Sequence, residues 1–496
     1  MIELGTPEIA AACGARLLSG QVEGRAGDHP RRAVVDSRLV EPGDLFFGLP
    51  GEHVHGGAFA APAVQAGAWG VVVPRGEAGA AVEAGGTARV LETPDPLAAL
   101  AGLASRWLES LRAGGCRVVG ITGSTGKTST KDILVSMLRP VAPGRVHANR
   151  ENYNTEIGLP LTVLEADAAT ELLVLEMAMR GMGQIRELAR LAKPDVGLIT
   201  NVGPVHLELV GTIERVAEAK AELIAELPAR ASCVVPAAGE ALHPHLRSDI
   251  RVVTFADAVA ADGDALGRTA SIAGASADVR ALSVEETTAG LRAEIAAGGE
   301  RGVLEFGFDA LHNLTNALAG IGAAHALGIR LEALAEGARA VTFSALRGEE
   351  LELPGGALII NDCYNANPVS MRAAVDHLAQ VVSRRGAGRA VAVLGEMREL
   401  GPQAPEFHEQ VGREAARAGV GLLIAVGPPA DAYARGFGDA GDVRRAADAQ
   451  EAAEVVEETI REGDVVLVKG SRAVGLERVA QALLSARDPG TTAQRT

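Results

Sequence analysis

The chain has 496 residues, of which 47% are hydrophobic and 3% aromatic, and it contains 60 glycines, which predicts roughly three domains of an α/β enzyme. No apolar run approaches the ~20 residues of a membrane helix, and the start of the chain lacks the basic residues of a signal peptide, so we expect a cytoplasmic protein without membrane insertion. The formal charge of −16 argues against nucleic acid as a partner.

The first part of the chain predicts a small α/β unit. Short apolar runs at 33–35, 44–49 and 69–73 alternate with glycines and prolines, which mark turns. A helical pattern over 96–112 then leads into the next unit. The cysteines have neither the paired spacing of a disulfide framework nor that of a zinc site, and we expect them to be reduced: Cys13, Cys116, Cys233 and Cys363.

Residues 120–131 carry the clearest chemical pattern, with glycines at every third position followed by Lys127 and Thr128. Glycines allow positive φ and let successive N–H groups converge on a phosphate chain. A strand-like run precedes the segment and a helical pattern follows it, which is the context of a P-loop. Lys127 would then reach the outer phosphates and the Thr128 hydroxyl a Mg²⁺ ion. The predicted nucleotide-binding loop consists of Gly123, Ser124, Thr125, Gly126, Lys127, Thr128 and Ser129.

The loop departs from the general P-loop pattern at one position. That pattern has a glycine six residues before the lysine, where this chain has Ile121. The variant spacing narrows the candidate families, and the alternative is an ordinary tight turn between a strand and a helix.

From 116 to about 230, strand-like and helical segments alternate, which predicts a mostly parallel sheet. Glu176 follows an apolar strand at its carboxyl end, where ligands bind in open α/β sheets and an acid suits Mg²⁺, although an exposed acid at a strand end is an equal alternative. His206 follows the next strand, where a lone histidine is more often a packed or surface residue than a ligand. Lys220 lies in a helical run whose spacing does not distinguish it from an ordinary solvated lysine.

Between about 250 and 308 the pattern predicts an antiparallel extension of the sheet, and a helix is predicted over 309–327. Asn313 and Asn316 lie three residues apart and therefore on one face of that helix. Two amides so placed suit hydrogen bonds to a nucleobase or ribose, while capping or contacts between helices explain them equally well.

After Arg347 a third α/β pattern begins, with four candidates for buried strands. A polar and aromatic turn at 361–371 follows the first of them, and packing hardly explains so many donors at a strand end. Polar loops at 395–401 and 469–472 follow two later strands and are either functional or simple solvated loops. The tail from about residue 486 is expected to fray.

Together these motifs resemble the Mur ligase family. The family loop Gly-x-Thr-Gly-x-x-Gly-Lys-Thr matches residues 120–128 and explains Ile121. The pattern Asp-x-Tyr-Asn-Ala-Asn-Pro, which separates the branch that adds D-alanyl-D-alanine from its sister ligases, matches 362–368. Further family motifs match at Glu176, at 201–206, at Lys220 and at 312–318.

The resemblance implies an ATP-dependent amide ligase. It would add D-alanyl-D-alanine to a UDP-N-acetylmuramoyl-tripeptide through an acyl phosphate, release ADP and phosphate, and serve peptidoglycan precursor synthesis. It implies three α/β domains: a small UDP-sugar-binding domain at 1–95, a central P-loop ATPase-like domain with a mostly parallel sheet at 96–343, and a C-terminal Rossmann-like domain at 344–496. We expect a monomer.

The resemblance also assigns roles to residues. ATP and two Mg²⁺ ions are implied, with metal ligands Thr128, Glu176, His206 and a carbamylated Lys220. The nucleotide would further contact Asn313, Asn316 and Asp362. The residues implied as catalytic are Lys127, Lys220, His206 and Arg347. The residues implied as binding the substrates are Ser37, Arg38, Asn154, Thr155, Tyr364, Asn365 and Asn367.

Two departures from the family pattern and two alternative functions accompany this interpretation. Leu346 stands where the family has a glycine before Arg347, and Met-Ala-Met follows Glu176 where relatives often have Met-Gly. A sister enzyme, such as a folylpolyglutamate synthetase or the ligase that adds the third residue, is disfavoured by the motif at 364–368. A P-loop switch without ligation is disfavoured by the intact second-metal residues, since a pure binder does not need them.

Overall fold

The computed structural model describes residues 2–20, 28–51, 56–257 and 277–486. Within these residues three sheets follow one another along the chain, and most of their neighbouring strands are parallel. The α/β class and the three-part architecture are therefore confirmed. The predicted frayed tail lies almost wholly outside the described residues, and the division at 1–95, 96–343 and 344–496 remains our proposal.

The first sheet has the strand order β1-β5-β4-β3-β2, in which β1 runs antiparallel to β5 and the other neighbours are parallel. Its strands are β1 (Arg16–Ser19), β2 (Ala33–Val34), β3 (Leu45–Phe47), β4 (Gly70–Pro74) and β5 (Arg89–Thr93). Its helices are α1 (Thr6–Ala12), α2 (Ala60–Gln65), α3 (Gly79–Glu83) and α4 (Pro96–Ala113). The Asp95 carboxylate caps α4 by accepting from two backbone N–H groups, and proline occupies the first helical position.

The second sheet has the order β14-β13-β12-β11-β10-β9-β6-β8-β7. Its strands are β6 (Arg117–Thr122), β7 (Val146–Ala148), β8 (Leu172–Glu176), β9 (Val196–Ile199), β10 (Ser232–Pro236), β11 (Arg251–Phe255), β12 (Val279–Thr287), β13 (Gly290–Ala297) and β14 (Glu300–Phe306). Its helices are α5 (Lys127–Leu138), α6 (Gly158–Glu165), α7 (Gln184–Ala192), α8 (Leu207–Val210), α9 (Ile213–Glu226), α10 (Leu311–Ala326) and α11 (Ala335–Arg339). The antiparallel pairing of β12, β13 and β14 confirms the predicted extension.

The third sheet has the order β15-β16-β20-β17-β18-β19, with β15 antiparallel at one edge and the rest parallel. Its strands are β15 (Glu349–Glu352), β16 (Leu358–Asn361), β17 (Ala390–Leu394), β18 (Leu422–Val426), β19 (Asp442–Ala446) and β20 (Val465–Lys469). Its helices are α12 (Pro368–Arg385), α13 (Ala404–Arg417), α14 (Ala430–Phe437), α15 (Ala449–Thr459) and α16 (Glu477–Ala486). Four of these strands are the predicted buried ones.

The order of the second sheet decides where the site lies. Because β6 is flanked by β8 and β9 and all three are parallel, their carboxyl ends share one edge. The P-loop, Glu176 and the segment leading to His206 all begin at this edge. All four cysteines are free, as predicted, and all four are buried. Across the part of the chain that the structure describes, no helix has the length and apolarity that crossing a membrane requires.

Candidate active site

The P-loop joins β6 to α5 through two glycines in left-handed or extended positive-φ conformations. Gly123 has φ 153° and Gly126 has φ 75°, and α5 starts at Lys127. A Cβ on Gly126 would lie 2.3 Å from Asn316 Oδ1, and a Cβ on Gly123 would lie 1.8 Å from Thr200 Oγ1. Glycine is therefore required at both positions, and the free N–H groups of the helix start form an anion site.

The segment after β9 holds the loop from outside. Asn201 Oδ1 accepts hydrogen bonds from the backbone N–H groups of Ser124 (3.1 Å) and Thr125 (2.9 Å), and Asn201 Nδ2 donates to Thr125 Oγ1 (2.6 Å). Ser124 Oγ donates to the Gly203 carbonyl (3.1 Å). The loop is thus fixed before any ligand binds. The sequence indicates Asn201 only as part of the 201–206 motif, because its partners are 76 and 77 residues away.

Thr128 and Glu176 meet at the shared edge, as the resemblance implies. The Thr128 hydroxyl donates to Glu176 Oε2 over 2.8 Å, and Glu176 is 2% exposed, so the alternative of an exposed strand-end acid is wrong. Asn154 Nδ2 donates to Glu176 Oε1 (2.8 Å). Asn149, which the sequence did not single out, binds the Glu176 backbone through both amide atoms at 2.8 and 3.0 Å.

Two basic side chains of the central sheet domain lie near this pair. Lys127 Nζ donates to the Gly123 carbonyl (2.9 Å), and burial lowers its pKa, with Arg347 acting in the same direction and Glu176 opposing. Lys220 is 2% exposed, and burial followed by the charge of Lys127 lowers its pKa well below the usual value. The alternative of a solvated helix lysine is therefore wrong for Lys220.

His206 lies at the N-cap of α8 with a φ of 54°. Burial lowers its pKa, Lys127 and Lys220 act in the same direction, and the Glu399 carboxylate opposes them. Its Nδ1 is hydrogen-bonded to Glu399 Oε2 in the third-sheet domain. His206 is thus half-buried and contacts the third-sheet domain, and its role as a metal ligand remains a prediction.

The third-sheet domain reaches the loop through Arg347. Arg347 Nη2 donates to the Thr128 hydroxyl (3.1 Å), and the guanidinium carbon lies 3.9 Å from the centroid of the Tyr364 ring. Arg347 Nε is buried without a hydrogen-bond partner. Leu346, at the position where the family has glycine, adopts a φ of 63°.

The polar turn after β16 is ordered by a buried lysine. Lys469 is 2% exposed and its Nζ donates to Asp362 Oδ2 (2.6 Å) and to the Asn365 carbonyl (3.1 Å). Asn365 Oδ1 accepts from the Ala366 N–H (2.9 Å), and the Asn367 side chain caps α12. The 469–472 loop is therefore not simply solvated, since both Lys469 and Ser471 are buried.

The two amides predicted on one helix face do lie together. Asn316 Nδ2 donates to Asn313 Oδ1 (3.1 Å), and Asn316 Oδ1 accepts from the Thr130 hydroxyl (3.4 Å). Asn316 also packs over Gly126 of the loop. Contacts between α10 and α5 thus account for part of their placement, and their nucleotide contacts remain a prediction.

Family comparison covers the three parts of the chain. The Mur ligase family catalytic domain matches residues 33–107, the Mur ligase middle domain matches 121–324, and the Mur ligase glutamate ligase domain matches 347–472. A Mycobacterium tuberculosis protein named UDP-N-acetylmuramoyl-tripeptide–D-alanyl-D-alanine ligase is 36% identical over 98% of each chain. The chain belongs to the Mur ligase family.

Solved structures of Mur ligases show the same fold. The structure of MurF from Acinetobacter baumannii has a TM-score of 0.81 and 25% identity, covering 97% of this chain and 98% of that chain. The MurF ligase from Thermotoga maritima in complex with ADP has a TM-score of 0.74 and 28% identity, covering 91% of this chain and 97% of that chain. The similarity therefore extends over all three sheets of this Mur ligase.

The remaining predicted residues of this Mur ligase lie in ordinary local structure. Ser37 starts a short 3₁₀ helix, in which Arg38 pairs with Asp36 over 2.6 Å. The Thr155 carbonyl accepts from Leu159 near the start of α6 (2.9 Å). Ser129 occupies the first turn of α5. Their substrate or nucleotide contacts remain predictions.

A separate group of titratable side chains joins the central and C-terminal parts of this Mur ligase. Ligand atoms of Asp309, Glu350 and His377 lie within 4.8 Å of one another. Arg384 pairs with Asp309, and His377 Nε2 lies 3.5 Å from Glu350 Oε1. Because an arginine already neutralises one carboxylate, we interpret the group as a contact between domains.

Proposed function

We propose that this chain is the ATP-dependent ligase that adds D-alanyl-D-alanine to a UDP-N-acetylmuramoyl-tripeptide. The observation that carries the proposal is the junction of Arg347 from the C-terminal domain with the Thr128–Glu176 pair of the P-loop, in a chain that matches such a ligase over 98% of its length. ADP-bound MurF from Thermotoga maritima supports the nucleotide assignment.

The residues at the loop suit a nucleoside triphosphate. Half-buried Lys127 and Arg347 bring positive charge to the loop, and Arg347 Nε has no hydrogen-bond partner. An anion bound there would relieve the mutual repulsion and satisfy that donor, since buried charges need compensation. Gly123 and Gly126 leave space where a side chain would collide.

The same residues suit Mg²⁺. Thr128 Oγ1 and Glu176 Oε2 are hard oxygen ligands 2.8 Å apart, and together they would hold Mg²⁺. Mg²⁺ supplies neutralisation of phosphate charge when it is bound. His206 is assigned to a second ion on the strength of the family resemblance.

We propose that Lys220 is carbamylated, as the family resemblance implies. A lysine held neutral can attack CO₂, forming an N–C bond and releasing one proton, and the product is an anionic carbamate. The carbamate would offset the charge of Lys127 and give the second ion a carboxylate-like ligand. Burial that lowers the pKa of Lys220 supports this modification.

The reaction then depends on position and charge rather than on a protein nucleophile. Lys127 and the loop N–H groups hold the β- and γ-phosphates while the tripeptide carboxylate attacks the γ-phosphorus, giving an acyl phosphate and ADP. Arg347 stabilises charge on the transferred group. The amine of D-alanyl-D-alanine next displaces phosphate and forms the amide. Asp362 is assigned to the ribose and Asn313 with Asn316 to the base.

The substrates themselves would span the domains. Ser37 and Arg38 are assigned to the UDP-sugar and Asn154 with Thr155 to the peptide end near Glu176. Tyr364, Asn365 and Asn367 are assigned to the dipeptide side. For Asn367 the backbone is the available group, because its side chain caps α12. We propose a monomeric cytoplasmic enzyme of peptidoglycan precursor synthesis.

Phosphate release tests the proposal. A ligase releases phosphate only when both the UDP-muramoyl-tripeptide and D-alanyl-D-alanine are present, whereas a P-loop switch hydrolyses ATP slowly whatever is added. Parallel assays with tripeptides ending in meso-diaminopimelate or lysine identify the accepted substrate. The Lys127→Ala variant is the negative control for phosphate release. Release independent of the dipeptide would contradict ligation.

A further inference from the structure

The loop between β17 and α13 places a carboxylate of the C-terminal domain against His206. Glu399 Oε2 accepts a hydrogen bond from His206 Nδ1, and the Glu399 carbonyl accepts from the Glu208 N–H (3.2 Å) in the first turn of α8. A Cβ on Gly401 would lie 3.4 Å from Glu208 Cα. The loop therefore contacts the start of α8 through both backbone and side chain.

The loop is held rigidly by its own domain. Its backbone is hydrogen-bonded to three buried side chains of the same domain, Tyr433, His408 and Ser471. The Glu399 carboxylate is therefore held in a fixed position relative to the C-terminal domain. The bonds run from Tyr433 Oη to the Gly395 carbonyl (2.8 Å), from Met397 N to His408 Nε2 (2.9 Å), from Arg398 N to Ser471 Oγ (3.0 Å) and from Ser471 N to the Glu396 carbonyl (2.9 Å).

Both partners of this contact have unusual backbones. His206 has φ 54° and Glu399 has φ 63°, a region that non-glycine residues occupy rarely and mainly where surrounding structure enforces it. The His206 segment also begins with Asn201, which holds the P-loop. Because both residues of this contact have strained backbones, we infer that the contact contributes to function as well as to packing.

We propose that Glu399 is a positioning residue that completes the His206 metal site when the C-terminal domain docks. A carboxylate accepting from Nδ1 fixes the imidazole tautomer in which Nε2 keeps its lone pair, and a metal-binding histidine needs that arrangement. Domain docking and assembly of the second-metal site are thereby coupled. The expected effect on kinetics rests on the proposed function. The expected tautomer of His206 rests on geometry alone.

The tautomer is tested without metal or turnover. Histidine ring ¹⁵N–¹H spectra are recorded on the full chain with ADP and EDTA, and His206→Asn assigns the signal. Wild type is expected to carry the proton on Nδ1, and Glu399→Gln to shift His206 toward the Nε2-protonated form. Glu396→Gln is the matched control, because its carboxylate pairs with Arg398 (3.5 Å) in the same loop. An unchanged His206 signal in Glu399→Gln would overturn the proposal.

Kinetics provide the second measurement. Glu399→Gln is expected to lower kcat and to raise the Mg²⁺ concentration for half-maximal ligation, each by about 10-fold, with little change in KM for the dipeptide. When His206→Ala is already present, adding Glu399→Gln should not lower kcat further. Thermal melting verifies that each variant is folded. Full additivity of the two changes would also overturn the proposal. If wild type fails to ligate, the proposed function is lost while the tautomer result still decides the role of Glu399.

Discussion

Arg347 of the C-terminal domain donates a hydrogen bond to the hydroxyl of Thr128 in the P-loop over 3.1 Å. Because Thr128 donates in turn to Glu176 (2.8 Å), a chain of hydrogen bonds runs from one domain to the carboxyl edge of the other's sheet. The Tyr364 ring under the guanidinium fixes its direction from within the C-terminal domain. The contact between the domains therefore places the Arg347 guanidinium beside the P-loop hydroxyl.

Replacing Arg347 tests this junction. Arg347→Ala is expected to lower kcat for ligation by about 10²- to 10³-fold, since it removes the proposed donor to the transferred group. Arg347→Lys should recover little, because an ammonium lacks the planar face that stacks on Tyr364 and the fixed fork of N–H donors that a guanidinium presents. Steady-state ligation assays measure both. Arg339→Ala, which breaks a pair with Glu305 at the surface, is the control. Activity of Arg347→Ala within threefold of wild type would contradict the role.

A carboxylic acid added in solution should partly restore the ligation activity that is lost when Lys220 is replaced. Lys220→Ala is expected to reduce ligation at least about 100-fold, because it removes the proposed anionic ligand of the second metal. Millimolar short-chain carboxylic acid should restore part of the rate by occupying the vacated position. The exposed Lys193, changed to Asn to suit its left-handed backbone, is the control and should show no effect of the acid. Full activity in Lys220→Ala without acid rules out the carbamate.

The left-handed backbone at Leu346 predicts that glycine is more stabilising than alanine at this position, which is the reverse of the usual order. Leu346→Gly and Leu346→Ala both remove the side chain, but only glycine adopts a φ of 63° without strain. The glycine variant should therefore be the more stable of the two by about 1 kcal/mol. Urea unfolding of both variants measures the difference. The usual order, with alanine more stable, would mean that this residue is not left-handed in solution.

Acid should destabilise the fold through His312. Burial lowers the pKa of His312 from 6.5 to about 3, with the charges of His377 and Lys469 acting in the same direction. Between these values the unfolded chain binds a proton that the folded chain does not, so stability rises with pH and is lost on acidification. Between pH 7 and pH 5 this group accounts for up to about 2 kcal/mol.

The His312→Gln variant isolates that contribution. Its free energy of unfolding in urea should fall less steeply between pH 7 and pH 5 than that of wild type. Burial also lowers the pKa of His206, His147 and His408, so a smaller slope should persist. His243→Gln, at an exposed position, should leave the slope unchanged. Parallel slopes for His312→Gln and wild type would contradict the assignment.

The sequence by itself determined the α/β architecture, the P-loop and the edge at which Glu176 lies. These depend on short-range patterns, because strand and helix periods, glycine positions and the residue after a strand are all read within a few positions. Family motifs added the ligase chemistry. The antiparallel extension of the second sheet was likewise predicted from local alternation and is present.

Only the tertiary structure decided which polar residues are buried and which meet across domains. Lys220 and Lys469 have local sequence patterns no different from those of solvated lysines, and they are buried because of what packs around α9 and β20. Glu399 and His206 are 193 residues apart and touch because the loop after β17 lies against α8. Such contacts arise from the docking of whole domains, for which local spacing carries no signal.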